Sequence, residues 1–251
     1  MLNSYLLHAW AFSPERLAIA GAVTLAFAVL ARLLRGVSRT GALAGGLACF
    51  LLFACAGPTA FVALAALFAM TWVSTRLGYR RKLALGVAEQ REGRGAWQVM
   101  ANLAAAALAS LAFSLNGNRA WLVAAVAALA EAATDTVASE IGQYRRSQAL
   151  LITTWQRVPA GTDGGITIPG TVAGLAAGLL IAMVAVSGGM ILRSQLWIPV
   201  AAGFAGMFFD SLLGATLQRR GWMSNETVNF FATLAAGALA YGITAFPAWL
   251  P

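Results

Sequence analysis

The sequence is short of charge. Only 10% of its residues are Asp, Glu, Lys or Arg, against about 25% in soluble chains. It holds one histidine and two cysteines. His8 sits in the N-terminal tail, which leaves no histidine for catalysis or for zinc. Cys49 and Cys55 fall inside one apolar run and read as packing residues rather than a disulfide or metal pair. The opening MLNSYLLHAWAFSPER has no basic residue before its apolar part, so no cleavable signal peptide is expected. Nine acids face seventeen Lys and Arg, a net charge of +8. A basic balance can signal nucleic acid. Here the cations fall in short loops between apolar runs, so no nucleic-acid partner is expected.

What is abundant is apolar. Hydrophobic residues make up 60% of the chain, and the mean hydropathy is +0.75. Runs long enough to cross a bilayer, about 20 residues each, recur along the whole length. They are continuous and rich in Ala, Leu and Gly, without the alternation of barrel strands. The expected fold is therefore all-α, a polytopic membrane protein forming one multi-span domain over residues 1–251. Eight spans are predicted, at 17–34, 41–57, 58–76, 98–115, 120–142, 169–188, 197–217 and 227–247. The second and third meet at Gly57-Pro58, and a count of seven that merges or drops one of them is the alternative.

Fourteen of the seventeen cations lie in alternate loops, and only Arg16, Arg119 and Arg193 lie on the other side. Positive-inside logic then places the basic loops in the cytoplasm of a cell (inner) membrane, with both termini outside. Trp121 and Trp197 at outer starts, and Trp72, Trp97 and Trp222 near inner ends, fit interfacial belts. One internal echo aligns Asp135 with Asp210, DTVASEIGQ against DSLLGATLQ, and suggests a parallel repeat.

With the spans placed, polar residues near or inside the membrane gather on the cytoplasmic half. Asp135, Ser139 and Glu140 end the fifth span. Gln98 and Asn102 open the fourth. Asp210 is the counterpart of Asp135 in the seventh, and Asn225 and Asn229 open the eighth. Buried acids must be protonated, paired or bound to a cation. Acids on two helices without histidine suit a hard divalent ion, Mg²⁺ above all. Salt bridges to loop arginines, or neutral acids bonded between helices, are the plainer reading. The basic loop RLGYRRKLALGVAEQREGRGAWQ carries Lys82 and Arg94, which could neutralise phosphates or merely mark topology. The loop GTDGGITIPGT has the glycines that let backbone amides approach an anion, but it lacks the Gly-Lys-Ser/Thr ending of a P-loop. Glu131, one turn deeper than Asp135, stays unassigned.

Five segments, GRGAWQVMAN, ATDTVASEIG, VPAGTDGGITIPGT, GMFFDSLLGATLQ and NETVN, resemble in order the motifs of an integral-membrane family. That family includes the plant phytyl-phosphate kinase of vitamin E synthesis and animal transmembrane protein nineteen. It is similar, more distantly, to the CTP-using phytol and dolichol kinases and to the CDP-diacylglycerol synthases. The resemblance marks Lys82, Arg94, Gln98, Asn102, Asp135, Ser139 and Glu140. It marks Gly161, Thr162, Gly164, Gly165, Gly170 and Thr171 in the loop, and Asp210, Ser211, Gly214, Gln218, Asn225 and Asn229 beyond it. Asp163 and Pro169 look variable.

The expected activity is a kinase of an isoprenoid monophosphate, using a nucleoside triphosphate such as CTP together with Mg²⁺. In that reading Asp135, Glu140 and Asp210 hold the metal, and Lys82 and Arg94 neutralise phosphates. The loop supplies backbone donors, and membrane lipids surround the chain. Nucleotidyl transfer to a lipid phosphate is one rival. A transporter of a phosphorylated or cationic solute is the other, although transporters favour midplane sites at inverted repeats.

Overall fold

The computed structural model describes residues 13–84, 86–89, 91–144 and 148–246. His8, Arg145 and Arg146 lie outside the described residues. Among those described, eight helices are long and apolar enough to cross a membrane, so the eight-span count holds and the seven-span alternative does not. They are α1 (Pro14–Leu33), α2 (Arg39–Leu51, prolonged by a π turn, Leu52–Ala56), α3 (Pro58–Arg76), α5 (Ala96–Asn116), α6 (Ala120–Tyr144), α7 (Ile168–Ser187), α8 (Trp197–Leu213, prolonged by a π turn, Gly214–Gln218) and α9 (Asn225–Ala245). A short α4 (Tyr79–Ala84) lies in the basic loop between α3 and α5.

Most helices begin earlier than hydropathy suggests, because polar caps precede the apolar runs. The hydroxyls of Ser13, Ser38, Thr167 and Ser224 each accept from a backbone N–H in the first turn, satisfying donors that a helix start leaves open. Gly57 separates α2 from α3 with φ +98°, a value that suits glycine, and Pro58 follows at the first helical position. The guanidinium of Arg16 donates to the Phe53 carbonyl at 3.3 Å inside the adjoining π turn.

Helix α6 is the axis of the bundle. It packs against α3, α5, α7, α8 and α9, and its residues Leu122–Thr134 are buried on every side. A helix buried all round must carry side chains that neighbours can approach, and the AAVAALAEAAT run supplies them. The neighbours answer with small residues, as membrane helices do in the absence of a hydrophobic drive. A Cβ added at Gly174 would lie 2.5 Å from the Thr134 carbonyl, and one at Gly206 would lie 2.5 Å from the Glu131 side chain.

Between α6 and α7 the chain forms three short strands, β1 (Ala149–Leu151), β2 (Arg157–Val158) and β3 (Gly165–Ile166). The order is β2-β1-β3, with both pairings antiparallel. This small sheet lies in the loop read as an anion cradle, where no strand was expected. It fixes both ends of the Pro159–Gly164 segment. Asp135 and Asp210 sit on helices that run in the same direction, as the echo implied. Their surroundings differ, because α6 is central and the span containing α8 is only 33% buried.

Candidate functional site

One polar cavity of about 550 Å³ opens at the basic end of the bundle. Helix α6 lends it Asp135, Ser139 and Glu140 from its last turns. Helix α8 and its π turn add Asp210, Ser211 and Gln218, and the first turns of α9 add Asn225 and Asn229. The start of α5 brings Gln98 and Asn102, and Arg94 precedes them. The loop contributes Gly161, Thr162, Gly164 and Gly165, and α7 contributes Thr171. Six segments far apart in the chain thus converge. Of the candidates picked from the sequence, Lys82 and Gly170 do not line the wall, and Gly170 instead packs against the Ala138 carbonyl of α6.

Arg94 is held by its backbone. Its N–H donates to the Gly36 carbonyl at 3.1 Å, and its own carbonyl accepts from Ser38 at 3.0 Å. The basic loop is thereby stitched to the turn between α1 and α2. The guanidinium reaches Glu89, with Nε 3.6 Å from Oε2, and Arg94 shares the cavity wall with Asp135. The Gln98 amide nitrogen donates to the same carboxylate at 3.3 Å, while its oxygen accepts from Gly95 at 2.8 Å. Asn102 donates to the Gln98 carbonyl at 2.8 Å. Sequence reasoning missed Glu89. An acid among loop cations reads as solvated charge, and only the fold shows it aligning Arg94 and Gln98 at the cavity wall.

Two carboxylates face the cavity from opposite helices. Asp135 and Asp210 line the same cavity, and Glu131, one turn before Asp135, packs against Gly206, one turn before Asp210. Glu131 itself is 1% exposed and does not line the cavity. One buried oxygen of Asp210, Oδ2, has no hydrogen-bond partner among the described residues, and neither has Oε1 of Glu131. An unpartnered carboxylate oxygen beside a second carboxylate is a suitable seat for a hard cation. No group of three His, Cys, Asp or Glu among the described residues could hold a metal by itself. The set therefore fits Mg²⁺, which takes one or two carboxylates and completes its shell with water and substrate phosphates.

Glu140 and Lys82 depart from expectation. Lys82 is 1% exposed, and its ammonium pairs with Glu140 Oε2 behind the cavity wall. It also donates to the carbonyls of Ser74 at 2.8 Å and Thr75 at 3.4 Å. The other oxygen of Glu140 accepts from the Thr75 hydroxyl at 2.7 Å. Each carboxylate oxygen already accepts a hydrogen bond, so the unpartnered Asp210 oxygen is the freer seat for a cation. All three ammonium protons are committed too, so Lys82 is not a phosphate contact. Together they join α3, α4 and α6. The sequence could not distinguish these roles, because a lysine in a cationic loop looks the same whether it faces water or an acid.

The glycine loop is also refined. The amides of Thr162 and Gly165 donate to the carbonyls of Pro159 and Thr162, at 3.2 and 2.9 Å. They are not available to an anion. The amides of Gly161, Asp163 and Gly164, which border the cavity, make no hydrogen bond among the described residues. These three carry the anion-cradle reading. Gly164 has φ +74°, and a Cβ there would lie 2.5 Å from the Ala215 nitrogen and 2.6 Å from the Ser211 carbonyl. Gly164→Ala therefore pushes the loop off the α8 π turn and costs more than about 1 kcal/mol. A lowered unfolding midpoint is the expected result. Asp163 also lines the cavity. Burial pushes its carboxyl above the ordinary range, and the nearby Arg219 opposes that shift.

Seven apolar helices around an axial eighth, with a polar cavity at the basic end, define a multi-pass membrane protein. The chain belongs to the family described as integral membrane protein DUF92, which it matches over residues 22–237. It is 36% identical over 200 residues to an uncharacterised membrane protein of Synechocystis, covering 78% of each chain. It is 32% identical over 230 residues to an uncharacterised membrane protein of Methanocaldococcus jannaschii, covering 89% of this chain and 92% of that one. It is 31% identical over 206 residues to the chloroplastic protein VTE6 of Arabidopsis thaliana, covering 78% of this chain and 62% of that one. No solved structure matches.

Proposed function

We propose that the protein is a membrane-embedded kinase of an isoprenoid monophosphate of the phytyl or geranylgeranyl type. The observation that carries this reading is the polar cavity, where Asp135 and Asp210 face Arg94 and the Gly161–Gly164 amides. The motif resemblance to a family that includes plant phytyl-phosphate kinase supports it, and VTE6 of Arabidopsis is among the similar chains. In the reaction an oxygen of the lipid phosphate attacks the γ-phosphorus of a nucleoside triphosphate, CTP being the first candidate. The β–γ bridging P–O bond breaks, and the nucleoside diphosphate leaves. The nucleophile is already an anion, so no strong base is needed. The task is to bring two polyanions together, which positioning and charge neutralisation accomplish.

Arg94 neutralises phosphate oxygens, aligned by Glu89. The free amides of the loop donate to the transferred phosphoryl or its neighbour. Asn225, Asn229, Gln218 and Ser211 orient phosphate oxygens or base edges from the opposite wall. Mg²⁺ would be held by Asp135 and Asp210 and would supply charge neutralisation for the phosphates. The decisive assay offers purified protein a prenyl monophosphate with each nucleoside triphosphate. Prenyl diphosphate and nucleoside diphosphate are expected. Pyrophosphate release would instead mark nucleotidyl transfer, and no product with any nucleotide overturns both.

The cavity is assigned to the cytoplasmic side of the cell membrane by the loop cations. Thr153 is exposed in the β1–β2 turn, and both native cysteines are buried. A Thr153→Cys protein should react with a membrane-impermeant maleimide in inverted vesicles and stay unlabelled in intact cells. Labelling in intact cells reverses the orientation.

A further inference from the structure

A second cavity, also about 550 Å³, lies beside the polar one. The two share Glu89, Arg94, Gln98, Asn102 and Thr136 as wall. Every charged residue lining the second cavity belongs to the basic end of the bundle. Farther in, its wall is Phe27 and Ala31 of α1, Gly45 of α2, Leu64 and Phe68 of α3 and Leu103 of α5. Along α3 the lining runs from Thr75 to Leu64, eleven residues or about 16 Å at ~1.5 Å per residue. Helix α1 closes the outer side. Its Phe27 ring meets Phe61 and Phe68 edge-on, each at 5.4 Å, and the Arg76 guanidinium donates to the Leu34 carbonyl at 2.6 Å.

An elongated apolar chamber that begins at an anion-binding arginine has the shape and polarity of an amphiphile with a phosphate head. Its volume lies within the roughly 300–1,000 Å³ of small-molecule pockets. We propose that this chamber holds the hydrocarbon tail of the lipid phosphate, and that Phe27 and Leu64, its deepest residues on α1 and α3, limit tail length. The tail's chemistry rests on the isoprenoid-phosphate reading, but the chamber does not depend on the phosphoryl-transfer step. Gly45 keeps the chamber open. A Cβ there would only touch Val99, at 3.6 Å, so a larger side chain would occupy the tail space without breaking a backbone contact.

The test uses the full chain in lipid nanodiscs and a prenyl monophosphate carrying a diazirine at the end of its tail. Photolabelling is expected within residues 27–31 and 64–68, and phytyl monophosphate should compete with it. Gly45→Leu should cut that labelling about tenfold or more, while Phe27→Ala should shift the preferred tail toward longer prenyl monophosphates by about tenfold. If Gly45→Leu fails to fold, Phe27→Ala alone decides. Label found only on α7 and α8, or tail preference unchanged in Phe27→Ala, overturns the chamber. Label in the chamber without diphosphate formation overturns the kinase step and leaves the chamber. Diphosphate formation with label elsewhere does the reverse.

Discussion

Asp135→Asn and Asp210→Asn should each lower kcat/KM for prenyl diphosphate formation by about 10²–10³-fold. The substitution keeps shape and removes charge. Asp210 Oδ2 has no hydrogen-bond partner among the described residues, so its charge is not there to hold helices together. Each substitution takes an acid out of a desolvated site without changing its shape, and a desolvated carboxylate with no bound cation costs free energy in the resting protein. Stability should therefore hold or rise in both variants while activity collapses. That opposition separates a ligand pair from a structural one. Raising Mg²⁺ should recover part of the loss in either single variant and none in the double variant. Loss of stability in parallel with activity would assign the two acids to packing instead.

Lys82→Met should destabilise the protein by about 3–5 kcal/mol, the usual cost of leaving one half of a buried ion pair uncompensated. The unfolding midpoint in detergent reads this directly. Lys82 is buried among the Ser74 and Thr75 carbonyls and the Glu140 carboxylate, so its loss strands Glu140 beside the polar cavity. Lys82→Met combined with Glu140→Gln removes both charges and should recover most of the stability, because the buried-charge penalty disappears with the pair. Nucleotide KM should change little in the double variant. If Lys82 were a phosphate contact, Lys82→Met would raise nucleotide KM with little loss of stability, and the second substitution would restore nothing.

These two experiments concern residues that looked alike in sequence. Asp135 and Asp210 were acids at similar depth and Glu140 lay at the inner end of its span, and all three were expected to hold metal. All three line the cavity, but the fold ties Glu140 to a lysine and leaves an oxygen of Asp210 without a partner among the described residues. Lys82 and Arg94 were two cations of one loop. A backbone bridge to the α1–α2 turn aims Arg94 at the site, whereas α4 buries Lys82. The glycine loop was recognised, but which amides stay available depends on turn bonds that only the folded loop makes. Glu89 and the short strands were not anticipated, because a loop acid and two-residue strands leave no periodic signal.

What the sequence determined by itself was set by composition and spacing. Long apolar runs must become membrane helices, since backbone groups in lipid have to be satisfied within the segment. Loop cations divide the two sides, and polar residues on the cation-rich half mark the end where a site can lie. The tertiary structure alone decided that α6 is the axis, that Glu140 and Lys82 neutralise each other, and that an apolar chamber adjoins the polar cavity. The physical reason is that charge and hydropathy act residue by residue along the chain. Which acid meets a cation and which meets a cavity depends on close packing between helices, and small residues such as Gly174 and Gly206 set that packing through contacts far apart in sequence.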